Sequence, residues 1–555
     1  MKRVLRLGGV HALLACLVVV PEILLSRQVG GKAHIVALAL SVLVFAFPPA
    51  LFFLALNRFA MAWGLWLMIA ATLVLIQAAK YRFLQSPLFL TDFFPATLKT
   101  TLGVLPGLSL GVQLLAALLV LGIVLGGFFL LWRLGKRSAR APIALRLCLV
   151  LFFGALPLTL ITVNESNYEK VLPALGASAS DFSRPFSISR MGFMGSLWHD
   201  VRYLLGQDKP INYSKEAMQR IRQSYRPAGS GATVGSPSVI VLLLESFWDP
   251  LAYPELGVSP DPIPYFRSLA KKFPHGRVRV PMYGGGTALA EFEILTALSS
   301  TLIRGYPYVN LRRKIPTLAT TFAQKGNKTI FLHGYRHWFY ARDRAVPLMG
   351  FERFLYRDHI YAAFPGTDIE DFRYIKDEFF MRMLAGLTRE RPFFIFASSY
   401  GTHGPYINEK EIYPYRLNSA LPEKTRDALE ANLMLLKAAD DSLRYLVAEV
   451  AKSREETLIF AFGDHVPNES YIHLDLRRYD KEKPFWLPYV LVHSNPSKTK
   501  AEYRDLDATA VADFLLRKAH LHSPAQFAAA RENPGTAPLL VYDILFGDQV
   551  LAEKY

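Results

Sequence analysis

The chain has only two cysteines in 555 residues, Cys16 and Cys148, and both lie inside apolar runs. That excludes a disulfide framework or a cysteine-built metal centre in the polar part. Acidic residues are nearly missing from the first segment: residues 1–163 hold 2 Asp/Glu against 14 Lys/Arg, whereas the remaining 392 carry 44 and 49. The formal net charge of +17 is therefore concentrated around apolar segments, and no basic face for nucleic acid is left over. There is no internal repeat. No GK[ST] follows the one run of three glycines, which excludes a P-loop. Hydrophobic residues make up 52% of the chain and mean hydropathy is +0.20, too apolar for a disordered or fibrous protein.

Five apolar runs are present, at about Leu7–Leu25, His34–Leu56, Phe59–Ala79, Leu108–Trp132 and Ile143–Val163. Each approaches the roughly 20 residues that a helix needs to cross a bilayer core. The first reads as a span and not as a cleaved signal peptide, because Pro21 and Glu22 stand where small cleavage-site residues belong. With the N-terminus in the cytoplasm, nine Lys/Arg fall on the inner segments and five on the outer loops, as the positive-inside rule requires. Everything after Val163 is then extracytoplasmic. This predicts a multi-pass protein of the bacterial cytoplasmic (inner) membrane and removes ATP as a substrate.

Residues 164–237 read as juxtamembrane helices and a flexible linker. Met191, Phe193, Met194, Leu197, Trp198, Val201 and Leu204 recur at helical spacing, which suits a helix at the membrane surface or one packed on the next domain. Arg226–Ser238 is rich in Gly, Ser and Pro. From 238 to 555, β-rich runs (Val239–Leu244, Thr329–Leu332, Phe393–Ala397, Leu458–Phe462, Tyr489–Val492) alternate with helical patterns. The expected fold is a multi-span α-helical membrane domain followed by an extracytoplasmic α/β domain with a mainly parallel sheet.

In such sheets ligands bind beyond the carboxyl ends of the strands. Four strand candidates end in chemistry: Glu245, His333, the SSYGTH segment with His403, and a GDH with Asp464 and His465. A fifth element, Gly284-Gly285-Gly286-Thr287, opens a helical stretch. Glycines there let the backbone approach an anion, and a helix start favours negative charge. A threonine hydroxyl needs a base or a cation to act as a nucleophile. Glu245, Asp464 and His465 can supply one divalent-metal site with Thr287 Oγ1 as fourth ligand. Mostly oxygen ligands with one imidazole suit Mn²⁺, with Mg²⁺ or Zn²⁺ as alternatives.

The set LESF, GGGT-x₃-EF, HG-x₇-RD, SSYGTHGPY and GDH, behind five spans, resembles the lipoteichoic acid synthase family. That family lies within the alkaline phosphatase and sulfatase superfamily, and the likeness extends to KYRFLQSPLFLTDF between spans three and four. The resemblance implies a metal-dependent transferase moving phosphoglycerol from phosphatidylglycerol, through a phospho-Thr287 intermediate, to an envelope glycan or glycerolphosphate polymer. It implies metal binding by Glu245, Thr287, Asp464 and His465. It places His333, Tyr340, Arg342 and His403 around the head group, with Arg342 suited to a bidentate phosphate contact and His333 or His403 to proton transfer. Tyr340 falls where relatives often carry Trp. The alternatives are a phosphoethanolamine transferase, a phosphodiesterase or sulfatase-type hydrolase, and a non-catalytic membrane-anchored binding module. A sulfatase proper needs Cys or Ser in a C/S-x-P-x-R setting, which Thr287-Ala288-Leu289-Ala290 does not supply.

Overall fold

The computed structural model describes residues 2–555 except 29–33, 85–87, 89, 94–126, 128, 130–132, 134, 137–139, 164, 178–183, 205–208, 226–236, 304–306, 312, 338, 372–373, 408–413 and 553–555. It divides into two units, Met1–Asp208 and Lys209–Tyr555.

Among its described residues the first unit contains four helices long and apolar enough to cross a membrane: Leu7–Gln28, Ile35–Leu56, Phe59–Ala78 and Ile143–Thr162. The expected span at Leu108–Trp132 and most of the Arg226–Ser238 linker lie outside the described residues. Helix α1 (Phe193–Leu204) carries the apolar spacing read from the sequence. Its Phe193, Met194 and Leu197 are buried in the same apolar cluster as the long helices. A carboxylate holds its start. Glu22, buried within the first long helix, accepts the backbone N–H groups of Phe193 and Met194, the latter at 2.8 Å. Two orphan donors of a helix N-terminus are thereby satisfied by a negative charge. The preceding Gly192 has φ +79°, and a Cβ there would strike Ser41 Oγ.

The second unit is built on one eight-stranded sheet. In chain order its strands are β1 (Ser238–Leu244), β2 (His275–Arg279), β3 (Lys328–His333), β4 (Arg353–Leu355), β5 (Phe393–Ser398), β6 (Thr457–Gly463), β7 (Trp486–His493) and β8 (Leu506–Asp507). Across the sheet the order is β8-β2-β7-β6-β1-β5-β3-β4. The central strands β6, β1, β5, β3 and β4 run parallel, while β7 is antiparallel to both β6 and β2. The sequences explain this division. SVIVLLL, FFIFAS and TLIFAFG are buried at every position, as strands covered on both faces must be. HGRVR instead alternates toward the edge, with Gly276 and Val278 buried and Arg277 and Arg279 exposed.

Register sets the level of the strand ends. Leu244 pairs with Gly463, Leu243 with Ser398, and His333 with Ser398. The residues that follow β1, β5 and β6, together with the last residue of β3, therefore emerge at one height. Helices α2 (Pro264–Ala270), α3 (Thr287–Thr296), α4 (Arg342–Leu348), α5 (Asp377–Leu387) and α6 (Glu423–Ala451) belong to this unit. Asp440 of α6 accepts the Tyr265 and Phe266 N–H groups at 2.8 and 2.7 Å, capping the first turn of α2.

The turn after β6 has no room to spare, because a Cβ added at Gly463 would collide with the Phe247 carbonyl oxygen. Gly463→Ala is expected to destabilise the protein by about 2–4 kcal/mol, as an overpacked buried site does. It should also disturb the adjacent Asp464. Chemical denaturation, with the cation response of the melting temperature as second readout, checks both effects.

Candidate active site

The carboxyl ends of β1 and β6 deliver three ionisable groups to one buried point. Ligand atoms of Glu245, Asp464 and His465 all lie within 4.8 Å of one another. His465 Nε2 is 3.4 Å from Glu245 Oε1 and 3.3 Å from Asp464 Oδ2. The His465 Nδ1–H donates to the Val466 carbonyl at 2.9 Å. That bond fixes the tautomer in which the Nε2 lone pair faces the carboxylates.

Thr287 reaches the same point from the other side. It is the first residue of α3, and its Oγ1–H donates to Glu245 Oε2 at 3.2 Å. The three glycines before it all have positive φ (64°, 146° and 89°), a run that side chains rarely tolerate. A Cβ at Gly286 would also meet the Met282 sulfur. Asn468 Nδ2 donates to the Gly284 carbonyl at 2.6 Å, tying the glycine turn to the loop that bears Asp464 and His465.

Electrostatics make this arrangement costly without a cation. Burial, then the neighbouring Glu245 carboxylate, pushes Asp464 up to about 7. Burial also raises Glu245. For His465, burial acts to lower the value, but Asp464 and Glu245 outweigh it and the net shift is upward. Asp464 Oδ1 accepts the Ser246 and His465 N–H groups at 2.8 and 2.9 Å, while its buried Oδ2 has no hydrogen-bond partner. An orphaned carboxylate oxygen, a second carboxylate, an imidazole lone pair and a hydroxyl at one point fit a single divalent cation. Such a cation would lower the threonine pKa and withdraw charge from a phosphoryl oxygen.

The other residues expected from the sequence form an outer ring. His333, the last residue of β3, is fully buried beside the Ser398 backbone. Burial, then the Arg342 charge, holds it well below the usual histidine value. His403 lies in the loop after β5, its ring stacked on Tyr400 at 4.5 Å, and burial lowers it to about 4. It is close enough to His465 and Asp464 to feel their charges. Tyr340 has φ +58°, and its ring sits 5.1 Å from the Arg342 guanidinium. His473 is exposed, as a surface histidine is.

Arg342 is bound in a way the sequence did not reveal. Its Nε and Nη2 donate to the two oxygens of Glu291 at 3.0 and 2.7 Å, and Nη1 donates to the Phe339 carbonyl. The bidentate partner expected to be a phosphate is here a carboxylate of the protein. Tyr308 Oη donates to the same carboxylate at 3.0 Å. Arg342 and Glu291 are both fully buried. Glu291 stands one helical turn after Thr287 on α3, so one helix carries the hydroxyl and fixes the arginine. The glutamate of GGGT-x₃-EF was the available signal, but nothing in the sequence pairs it with a residue 51 positions away. Asp377 was missed as well. It accepts the Gly401 N–H at 3.3 Å and so steadies the loop of His403.

A family model described as Sulfatase matches residues 237–519, half of the chain. The chain belongs to the sulfatase family. Its second unit has the fold of the alkaline phosphatase superfamily. Among curated proteins it is 31% identical over 413 residues to a putative cyclic beta-1,2-glucan modification protein of Rhizobium meliloti (strain 1021), covering 71% of this chain and 61% of that one. The chain thus spans about three fifths of that relative's length. Among solved structures, the Streptococcus pyogenes phosphoglycerol transferase GacH in complex with sn-glycerol-1-phosphate superposes with a TM-score of 0.50 at 19% identity. That match covers 62% of this chain and 97% of GacH. The lipoteichoic acid synthase LtaP from Listeria monocytogenes gives 0.43 at 17%, covering 60% and 81%.

Breaking the Glu291–Arg342 pair leaves a buried charge unpaired, so Glu291→Ala is expected to cost about 3–5 kcal/mol. A double replacement by Met and Leu should cost less than the single one. A denaturant-unfolding double-mutant cycle measures the difference.

The raised Asp464 value also fixes a pH dependence. Without a cation, its contribution to stability is full below its unfolded value of about 3.8 and is lost as pH rises through about 7. Cation affinity runs the opposite way, because protons compete for the carboxylate. Affinity for added Mn²⁺ is expected to fall by up to about tenfold per unit as pH drops below 7. Calorimetric titrations at pH 6, 7 and 8 test this.

Proposed function

We propose that this protein is a phosphoglycerol transferase of the bacterial cytoplasmic membrane, anchored by several spans with its catalytic unit outside the cytoplasm. It moves phosphoglycerol from phosphatidylglycerol to an envelope glycan. The observation that carries the reading is the Thr287 hydroxyl, presented at a helix start and bonded to Glu245, beside the Asp464 oxygen that lacks a partner.

Two displacements account for the reaction. Thr287 Oγ1 attacks the phosphorus, the bond to the diacylglycerol oxygen breaks, and the proton lost by the threonine ends on the released diacylglycerol. The phosphoglycerol group is then held on Thr287. A hydroxyl of the acceptor attacks the same phosphorus and frees the threonine. The amide groups at the start of α3 face the phosphoryl oxygens and offset their charge. In the second displacement the acceptor's proton ends on the Thr287 oxygen; His403, neutral near pH 7 because burial depresses it to about 4, is positioned to relay it and is not itself a proton donor at that pH. Glu245, Thr287, Asp464 and His465 would hold a divalent ion such as Mn²⁺, which would supply activation of the threonine oxygen when bound. The Rhizobium relative's name, a putative cyclic beta-1,2-glucan modification protein, favours a β-1,2-linked glucan as the acceptor to try first. The sn-glycerol-1-phosphate bound to GacH agrees with a glycerol phosphate group in transit.

Incubation with headgroup-labelled phosphatidylglycerol, with and without the glucan, is the direct experiment. Label is expected on the glucan and unlabelled diacylglycerol is expected to be released. Thr287→Ala should reduce turnover at least about a thousandfold with an unchanged melting curve. Label appearing only as free glycerol phosphate would make the protein a hydrolase, and label from phosphatidylethanolamine alone would move the donor. Chelator should stop turnover and Mn²⁺ should restore it.

A further inference from the structure

Away from the threonine, the second unit contains a cleft of about 560 Å³ between α2, β2, the start of β7 and the turn after β1. Its lining includes Val466, the residue after His465, and Trp248, three residues after Glu245. Neighbouring Cα atoms are 3.8 Å apart, so the lining comes within a few residues' span of the catalytic point.

Two features of the lining define what would fit. Its walls carry the aromatic rings of Tyr253, Trp486 and Tyr503, the last 60% exposed. Four cations, Arg267, Lys271, Arg277 and Lys483, line it against one carboxylate, Asp249. Arg267 is held by Asp249 and Asp261, and Arg277 by Asp505. Lys271 and Lys483 have no carboxylate within ion-pair distance among the described residues. Lys483 Nζ lies 5.2 Å from the centre of the Tyr253 ring and donates to the Ala252 carbonyl. Tyr253 itself is buried, and its hydroxyl is the one buried side-chain polar atom of the lining without a hydrogen-bond partner among the described residues.

We infer that this cleft binds a segment of the acceptor glycan that already carries phosphoglycerol. The inference rests on the transferase reading above, which makes the acceptor gain one negative charge with each group it receives. Sugar rings present apolar C–H faces to exposed aromatic side chains such as Tyr503 and hydroxyls to polar groups of the lining. The phosphodiesters they acquire match Lys271 and Lys483. An acyl chain matches less well, since it would set four cations beside hydrocarbon. Retention of substituted segments beside the site would let the enzyme modify neighbouring units of one glycan.

Binding needs no turnover, so it is measured on the full-length protein in detergent with two probes: cyclic β-1,2-glucan, bare or chemically substituted with phosphoglycerol. At low salt the substituted glucan is expected to bind about tenfold tighter. Lys271→Glu with Lys483→Glu should abolish that preference, and Tyr503→Ala should weaken both probes. Labelling of Thr287 by headgroup-labelled phosphatidylglycerol in the absence of acceptor should proceed as in the wild type in all these variants. Equal binding of the two probes, binding unaffected by the substitutions, or displacement of the glucan by a fluorescent fatty acid would each overturn the inference. Absence of lipid turnover in the wild-type protein would instead sink the transferase reading and leave the binding comparison to be judged alone.

Discussion

Two carboxylates and an imidazole are buried within 4.8 Å of one another, and the protein provides no fixed cation among them. Like charges removed from water repel strongly, and burial raises the cost of each. In the bare protein the strain is relieved by protonation, which is what the upward shift of Asp464 expresses. A divalent ion relieves it while leaving both groups ionised. The glycine turn brings the Thr287 hydroxyl to the edge of this cluster, where it donates to Glu245.

The framework that holds these groups together is rigid for ordinary reasons. Five parallel strands, most of them buried along their whole length, bring chain segments about 220 residues apart to one level. A step of one residue in register would turn every side chain to the opposite face. Beside this centre, the Glu291–Arg342 pair belongs to the helix that starts at Thr287. An arginine clamped by a glutamate is held in one orientation by the fold itself. Helix α1 is secured by a similar device in the other unit, where Glu22 satisfies backbone donors that would otherwise be buried unpaired.

Much of this was legible beforehand because the signals are local. Continuous apolar runs marked β1, β3, β5 and β6, and the residues just past their ends were the chemical ones. The long apolar helices announced themselves by length, although the run at Leu108–Trp132 falls outside the described residues. Strand β2 escaped notice because two arginines interrupt it, and β4 and β8 are too short to leave a periodic pattern. The antiparallel course of β7 was equally hidden, since a strand's direction is not written in its composition.

By itself, the amino-acid sequence determined the apolar spans, the alternation of strand and helix, and which residue types could handle a phosphoryl group and a cation. These follow from hydrophobicity, periodicity and functional-group chemistry, all properties of neighbouring residues. Only the tertiary structure decided that Glu291 takes the arginine's fork, that His403 lies stacked and neutral on Tyr400, and that aromatic rings and lysines from four separate segments line one cleft. Pairings of that kind depend on sheet order and packing, and the energy that selects them is spread over a whole core, so no short stretch of sequence contains it.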